Sequence, residues 1–557
     1  MIILKVYGLQ TQVRQQHENM SSPVHSGLKK HQISVSTVVF MIFCLCAAGA
    51  YGIEDMIPQA GPGLTLVMLM VLPFLWSTPM GLVASELGSA IPEEGGFYKW
   101  VQRACGEFWG FQAGWWRTVS IYVDNTIYVV LAGSYFSSVV QLSPLQEYAF
   151  KASMIIVFTY INIRGIKDVG FASTAISMLV MLAFALVAVI GFATWQSNPF
   201  EPFVPPDQSL VQSIGTGIAI GIWMYSGYES MSTMAGEIQN PQVIPKATLI
   251  TVPLIMAVYI LPTMGGLASL GSWDQWASEG GLSYSDVVAS HFPTLGILFV
   301  LVAVLANFSV FNTYIASGSR GFFALAEDNL APRALVKCSK DRGVPYIAVL
   351  SLGAFSLIAC TFPFEVIVVV DVMLFVSAYV LIFISACILR VKEPDLERPF
   401  RIPLGTKGLI MMCIPPITIA LLALFISGTD YFLGGMLALF SGPVAYFIFR
   451  RKYGGLSKKD SVLHPANPVT RLAMGDTKRM AWMSGLLTIA GIVALFFLPW
   501  YDNPQAYAEA YGVDGIFDTL MSGVRWLTVA FGLLTAALLI IAWRVEPGSG
   551  EKPEQSS

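Results

Sequence analysis

The chain has 557 residues, of which 55% are hydrophobic and only 12% charged, with a mean hydropathy of +0.65. Soluble domains carry roughly 25% charged residues, so this composition excludes a water-soluble domain and implies an all-α polytopic membrane protein. The formal net charge of −3 gives no reason to expect nucleic acid or an acidic partner. Cys44, Cys46, Cys105, Cys338, Cys360, Cys387 and Cys413 lie singly or within apolar runs, without metal-like spacing beside histidine. They imply no disulfide framework, no metal site and no cofactor.

Residues 1–33 are polar and read as a cytoplasmic tail. The first apolar run lies behind that tail and lacks a small-residue cleavage site, so it is not read as a signal peptide. Apolar stretches of membrane-crossing length predict helices over Ser34–Ile57, Gly63–Ala90, Phe108–Val140, Tyr148–Ile166, Asp168–Trp195, Val211–Ala235 and Ile244–Leu270. A second series follows over Leu295–Ala326, Tyr346–Phe362, Val366–Leu389, Leu409–Ser427, Tyr431–Phe449, Met480–Trp500 and Met521–Trp543. Residues 34–407 form a ten-helix core of five plus five, and residues 408–450 form helices 11 and 12. A polar cytoplasmic linker, 451–479, leads to an appended helical hairpin, 480–545, and a C-terminal tail, 546–557. The total is about fourteen helices, four of them outside the repeats.

Lysine and arginine fix the expected orientation. With the amino terminus in the cytoplasm, Lys29, Lys30, Arg103, Arg164, Lys246, Arg333, Arg390, Arg398, Arg450, Lys459 and Arg479 all fall on the inner side, while the opposite loops carry Glu201, Asp274, Glu279, Asp502 and Asp514. This is a positive-inside pattern with both termini cytoplasmic, in a plasma or inner membrane. Lys151 is the main exception.

Two triplets interrupt the apolar pattern at matching places, Gly52-Ile53-Glu54 in the first helix and Gly227-Tyr228-Glu229 in the sixth. A membrane-embedded glutamate is costly unless it pairs, titrates or binds something. A glycine beside it lets the helix unwind, and interrupted helices in corresponding positions of two inverted repeats are how secondary transporters build a midplane site. Tolerated kinks with buried glutamates are the competing reading.

Further acids lie inside the spans. Asp124 sits mid-helix beside Asn125, about two turns after Arg117, so a structural pair with either neighbour competes with a functional role. Asp371 lies early in helix 10, close enough to the outer surface to be hydrated, and Asp55 is expected to face an outer vestibule. Tyr51, Tyr128, Trp223, Tyr225 and Tyr228 offer cation-π and packing surfaces. Glu86 and Glu237 lie toward the cytoplasmic ends, as an inner gate or helix caps, with Arg320 as an ionic partner. Every histidine lies outside the spans, so no intramembrane histidine relay is expected. No nucleophile and base stand at suitable spacing within the membrane, which argues against an enzyme.

The stretch from Gly49 to Phe136, with ASELGSAIPEEGGFYKWV and WGFQAGWW, resembles the amino acid-polyamine-organocation transporter family. It is most similar to the polyamine and L-type amino acid branch, and the likeness continues through YSGYESMSTMAGEIQNPQVIPKA and SGSRGFFALAEDNLAP. The resemblance covers roughly Ser34 to Phe449. It implies a LeuT-type 5+5 inverted repeat with helices 1 and 6 broken. Backbone donors around Ala50, Tyr51, Gly52 and Ile53 would then meet a substrate carboxylate, and carbonyls around Tyr225, Gly227, Tyr228 and Glu229 an ammonium group. Some proton-coupled relatives carry a lysine in helix 5, but here no basic residue follows Lys167 in that helix. A coupling proton would fall to Glu54, Asp124 or Glu229, whereas Thr313 and Ser317 on helix 8 are the candidates for a sodium ion. The expected partner is a small amino acid or polyamine within a lipid bilayer, carried by proton-coupled uptake and alternating access. Neutral amino acid exchange, or sensing on the same fold, is the alternative, and an accessory subunit is left open.

Overall fold

The computed structural model describes residues 34–47, 49–93, 95–164, 169–228, 243–339 and 343–545. Ser34 caps the first helix, its hydroxyl accepting from the Thr37 amide at 3.2 Å. Helix α1 (Val35–Cys46) is only 12 residues long, too short to cross a bilayer at 1.5 Å per residue. The chain then unwinds, with Gly49 and Gly52 at φ of 115° and 93°, where an L side chain is strained. Helix α2 (Ile53–Ala60) resumes with Glu54 and Asp55 in its first turn, where their charge complements the amino-terminal end of the helix dipole.

A long second span follows as α3 (Pro62–Leu72) and α4 (Thr78–Ala90), joined by a π turn at Pro73–Ser77. Pro73 has no amide to give the helical ladder, which favours the wider turn. The short helix α5 (Phe97–Cys105) leads into α6 (Glu107–Val140), then α7 (Pro144–Arg164) and α8 (Val169–Ala193). Helix α9 (Leu210–Met224) opens with a reciprocal capping box between Ser209 and Gln212 and stops at Tyr225. After it come α10 (Val243–Leu270), α11 (Tyr284–Ala289), α12 (Pro293–Glu327), α13 (Tyr346–Ala359) and α14 (Phe364–Lys392). The remaining helices are α15 (Thr406–Ile426), α16 (Thr429–Tyr453), α17 (Asp476–Tyr501), α18 (Pro504–Tyr511) and α19 (Ile516–Val545).

Among the described residues, nine helices are long and apolar enough to cross a membrane. Helix α6 carries Arg117, Asp124 and Asn125 mid-span, all buried in protein rather than facing lipid, as their hydration cost requires. It is the central post, packed against α12 on one side and α14 on another, while α9 lies on α2 and α10 on α8 and α1. Helices α17 and α19 pack chiefly on each other and meet the rest of the bundle mainly at α15 and α16. Their outer faces are largely apolar and exposed, as lipid contact demands.

One end of the molecule is laced by buried ion pairs. Glu86, at the end of α4, receives Arg390 Nε at 2.6 Å and NH2 at 2.5 Å, together with the Ile402 amide at 2.8 Å. Arg398 closes on the same carboxylate at 3.2 Å. Asp328, just past α12, accepts from Tyr98 at 2.5 Å and from Lys99 and Lys459 at 2.6 Å each. The segment between α16 and α17 is folded rather than a bare spacer. Its Leu456 amide donates to Glu107 at 3.1 Å, its Gly455 amide to the Asn329 carbonyl at 3.1 Å, and Leu472 is buried. Polar composition hid this, because the segment is held by backbone and charge contacts more than by an apolar face.

Burial opposes the Asp328 charge, but Lys99 and Lys459 outweigh it and hold the carboxyl down at about 2. Asp328 is 1% exposed and Lys459 49%. Asp328→Asn, which strands buried donors, is therefore expected to cost about 3–5 kcal/mol, and Lys459→Ala no more than about 1 kcal/mol. Because folding lowers this pKa, the contribution is complete above the ordinary aspartate range and is lost as pH falls toward 2. Thermal unfolding followed by size-exclusion chromatography checks the order. Equal small losses for both variants would show that the cluster does not hold this end together.

Candidate functional site

The two unwound segments meet. A Cβ on Gly227, whose φ is 105°, would lie 3.2 Å from the Leu45 carbonyl oxygen and 3.3 Å from Cys46 Sγ. A Cβ on Gly52 would lie 2.7 Å from the Phe364 ring and 3.2 Å from that of Trp223. The dihedrals of both positions favour glycine, and both are closely packed, Gly227 against the end of α1 and Gly52 against Phe364 and Trp223. The carbonyls freed by unwinding are answered by side chains from neighbouring helices. Tyr259 donates to Met224 O at 3.0 Å and Cys46 O at 3.4 Å, Ser77 to Tyr225 O at 3.2 Å, and Tyr314 to Leu45 O at 3.4 Å. Trp76, in the π turn with Ser77, donates to the Ser226 hydroxyl at 3.2 Å.

Glu54 turns back onto the break that precedes it. Its Oε2 accepts the Gly52 amide at 2.9 Å, and its Oε1 accepts the Tyr135 hydroxyl. The carboxylate is fully buried. Tyr51 stands edge-on to Tyr135 with ring centroids 5.1 Å apart and meets Phe184 at 4.9 Å; Phe184 in turn meets Tyr284 at 5.3 Å. The Tyr51 hydroxyl is buried without a hydrogen-bond partner among the described residues. Asp55, expected at an outer vestibule, is instead buried and accepts the Ser278 amide at 2.9 Å, because the segment before α11 folds over it.

Asp124 occupies a second aromatic enclosure. Trp223 Nε1 donates to its Oδ1 at 2.9 Å, and Arg117, Tyr314 and Tyr128 also face it. Tyr128 stacks on Tyr314 at 5.6 Å and lies 6.0 Å from Trp223. Asn125 makes no side-chain hydrogen bond among the described residues, so the local Asp-Asn pair is not formed. Arg117 NH1 donates to Ser120 at 2.9 Å, and Ser120 donates to Asp371 at 2.5 Å. Asp371, expected near hydrated surface, is 1% exposed, because α14 packs directly on α6.

The other expected residues are distributed as follows. Ala50 and Ile53 are buried at the break, the Ile53 amide reaching Ala50 O at 3.2 Å. The Tyr225 hydroxyl is directed to Leu69 O at 2.7 Å, and Tyr228 is buried beside Gly81. Thr313 and Ser317 donate to carbonyls of their own helix, Ser309 O at 2.9 Å and Tyr314 O at 3.4 Å. Arg320 is half-buried on α12, while Glu86 is held by Arg390 and Arg398. Glu229 and Glu237 lie outside the described residues. Tyr135, Tyr314, Phe364 and Ser120 were not singled out from sequence, since each reaches the site across a long chain separation from an otherwise ordinary helical stretch. No group of His, Cys, Asp and Glu among the described residues is arranged to hold a metal ion.

Residues 33–432 match the family model described as amino acid permease. The chain belongs to that family. A probable polyamine transporter of Arabidopsis thaliana is 32% identical over 71% of this chain and 79% of its own length. Polyamine transporter PUT1 of Oryza sativa subsp. japonica is 30% identical over 71% of this chain and 74% of its own. The serine/threonine exchanger SteT of Bacillus subtilis is 24% identical over 68% of this chain and 87% of its own. Among solved structures, MhsT in complex with L-phenylalanine superposes with a TM-score of 0.54 at 15% identity, covering 72% of this chain and 100% of that one. The fold of this permease is the LeuT-type arrangement with its first and sixth helices broken.

Gly52→Ala should abolish uptake while the protein still reaches the membrane. The left-handed conformation alone costs a β-carbon about 1–2 kcal/mol, and the Phe364 ring stands where the methyl would go. Gly434→Ala is the control, since nothing lies within 4 Å of its added carbon. Radiolabel uptake normalised to surface expression measures both, and normal uptake by Gly52→Ala would remove the break from the transport site.

Proposed function

We propose that this permease carries small cationic amines of the polyamine class, by proton-coupled uptake and alternating access. The observation that carries this reading is the hydrogen bond from the Gly52 amide to Glu54. An amino acid needs unpaired amides at the first break to receive its carboxylate, and here the protein's own carboxylate has taken that place. An ammonium group has the opposite requirement. It would meet Glu54 among Tyr51, Tyr135 and Phe184, and a second amine would meet Asp124 among Trp223, Tyr128 and Tyr314, with ring faces adding cation-π attraction. Two carboxylates on either side of Gly52 and Trp223 suit a substrate whose positive charges are separated. The names of the plant relatives support the same class.

In this scheme the basic end, with Lys99, Arg390, Arg398 and Lys459, faces the cytoplasm together with both termini. Glu54 is the coupling residue: it takes up a proton or releases it as the amine arrives and leaves. Glu229, two residues after Gly227 in sequence, is a further candidate for that role. The name of the bacterial relative, a serine/threonine exchanger, favours a second reading, ion-independent exchange of neutral amino acids.

Purified protein in sealed proteoliposomes separates the two. Labelled putrescine uptake should be competed by spermidine and unaffected by serine or threonine, and Glu54→Gln and Asp124→Asn should each weaken it by about one to two decades, the value of a charge-assisted hydrogen bond. Acid outside should stimulate uptake without sodium. An inside-negative potential set with valinomycin should also drive accumulation, since each charge gains about 2.3 kcal/mol per 100 mV. Uptake indifferent to both gradients, but accelerated by an unlabelled amino acid inside, would overturn the proposal in favour of exchange.

A further inference from the structure

At the start of α17 a cleft of about 320 Å³ is lined by Trp109, Arg479, Trp482 and Leu486. We propose that it binds an anionic membrane phospholipid, with the headgroup phosphate at Arg479 and an acyl chain along α17. The guanidinium is held in place, with NH1 on Asp476 at 2.5 Å and its carbon 3.9 Å from where a Cβ would stand on Gly106. A side chain at Gly106, itself at φ 91°, would narrow the approach.

The acids nearby are already engaged: Asp476 by Tyr446 and Arg479, and Glu107 by Arg450, Tyr446 and the Leu456 amide. Arg479 is the basic side chain that lines the cleft.

The second feature is apolar. Trp482, 70% exposed, is followed on the same helix face by exposed Leu486, Ile489 and Val493, a stripe at helical spacing. It leads from the arginine toward the membrane centre. Two indoles and a guanidinium lining one cleft, with an aliphatic track running from it along α17, are complementary to one amphipathic molecule with a phosphate at its end. Arg479, Trp482 and Leu486 lie outside residues 33–432 matched by the permease model, while Trp109 lies within them, so the site forms where the appended hairpin meets the core.

The test uses the full chain in neutral detergent, with thermal unfolding read as phosphatidylglycerol, phosphatidylcholine or inorganic phosphate is added. Phosphatidylglycerol should raise the melting temperature saturably, and neither phosphatidylcholine nor inorganic phosphate should do so. Arg479→Gln should weaken the apparent affinity roughly tenfold, as loss of a charged hydrogen bond implies. Trp482→Ala, at an exposed position that folding does not need, should weaken it as well, whereas Trp500→Ala at the far end of α17 should not. Should Arg479→Gln fail to fold, the pair Trp482→Ala and Trp500→Ala decides alone. Equal stabilisation by phosphatidylcholine, a full response to inorganic phosphate, or an unchanged response in Trp482→Ala would each overturn the assignment.

Discussion

Everything near the centre of this permease follows from a debt of hydrogen bonds. A helix interrupted inside a bilayer exposes amides and carbonyls that lipid cannot satisfy, and here two helices are interrupted side by side. The side chains of Tyr259, Ser77 and Tyr314 take the carbonyls, and Glu54 takes the Gly52 amide. The π turn in the second span belongs to the same repair: it sets Trp76 and Ser77 against the second break, where a regular helix would rotate them by part of a turn. Pro73 is therefore tied to the site although it touches nothing there.

Charge in the interior is organised around α6. Arg117 stands between two carboxylates on different helices, facing Asp124 directly and reaching Asp371 through the Ser120 hydroxyl. A lone buried acid would be forced to hold its proton, and a lone arginine would be untenable, but together they share desolvation and form a connected network. The network joins α6 to α14 and brings a positive group close to one of the two acids that flank the break. Among the described residues Glu54 has no such partner; it is met by a phenol and an amide. The two acids are therefore chemically unlike, one compensated by a cation and the other by neutral donors, and this difference is the ground on which a coupling role is proposed for Glu54.

Much of the frame was legible because a bilayer imposes a simple code. Apolar runs of fixed length pointed to about fourteen spans, of which nine are long and apolar enough to cross among the described residues, and Gly52 and Gly227 pointed to the breaks, since few other reasons put glycine beside glutamate within such a run. The enclosures around the acids were partly legible: Tyr51, Tyr128 and Trp223 stand close in sequence to the breaks or to Asp124, whereas Tyr135, Tyr314 and Phe364 arrive from elsewhere and look like ordinary lipid-span aromatics. Asp55 and Asp371 were misread for one reason. Position along a helix gives depth, but burial depends on what packs over it, and neither the loop bearing Ser278 nor the face of α14 can be inferred from the local sequence. The segment after α16 misled in the opposite sense, its polarity suggesting solvent when its contacts are with Glu107, Asn329 and Asp328.

The ionic clusters divide the basic end into two sets of helices. Glu86 with Arg390 and Arg398 fastens α4 to α14 and the loop beyond it. Asp328 and Glu107 fasten α5, α6, α12 and the segment after α16. Separating the partners in either set would strand a buried carboxylate at about 3–5 kcal/mol, a large cost beside the few kcal/mol that separate conformers of a working transporter. Between the sets the ionic tie is weaker: Arg103 and Glu393 pair in an exposed setting, where such contacts contribute about 1 kcal/mol or less. The two sets are therefore joined at this end more by the packing of α14 on α5 and α6 than by charge.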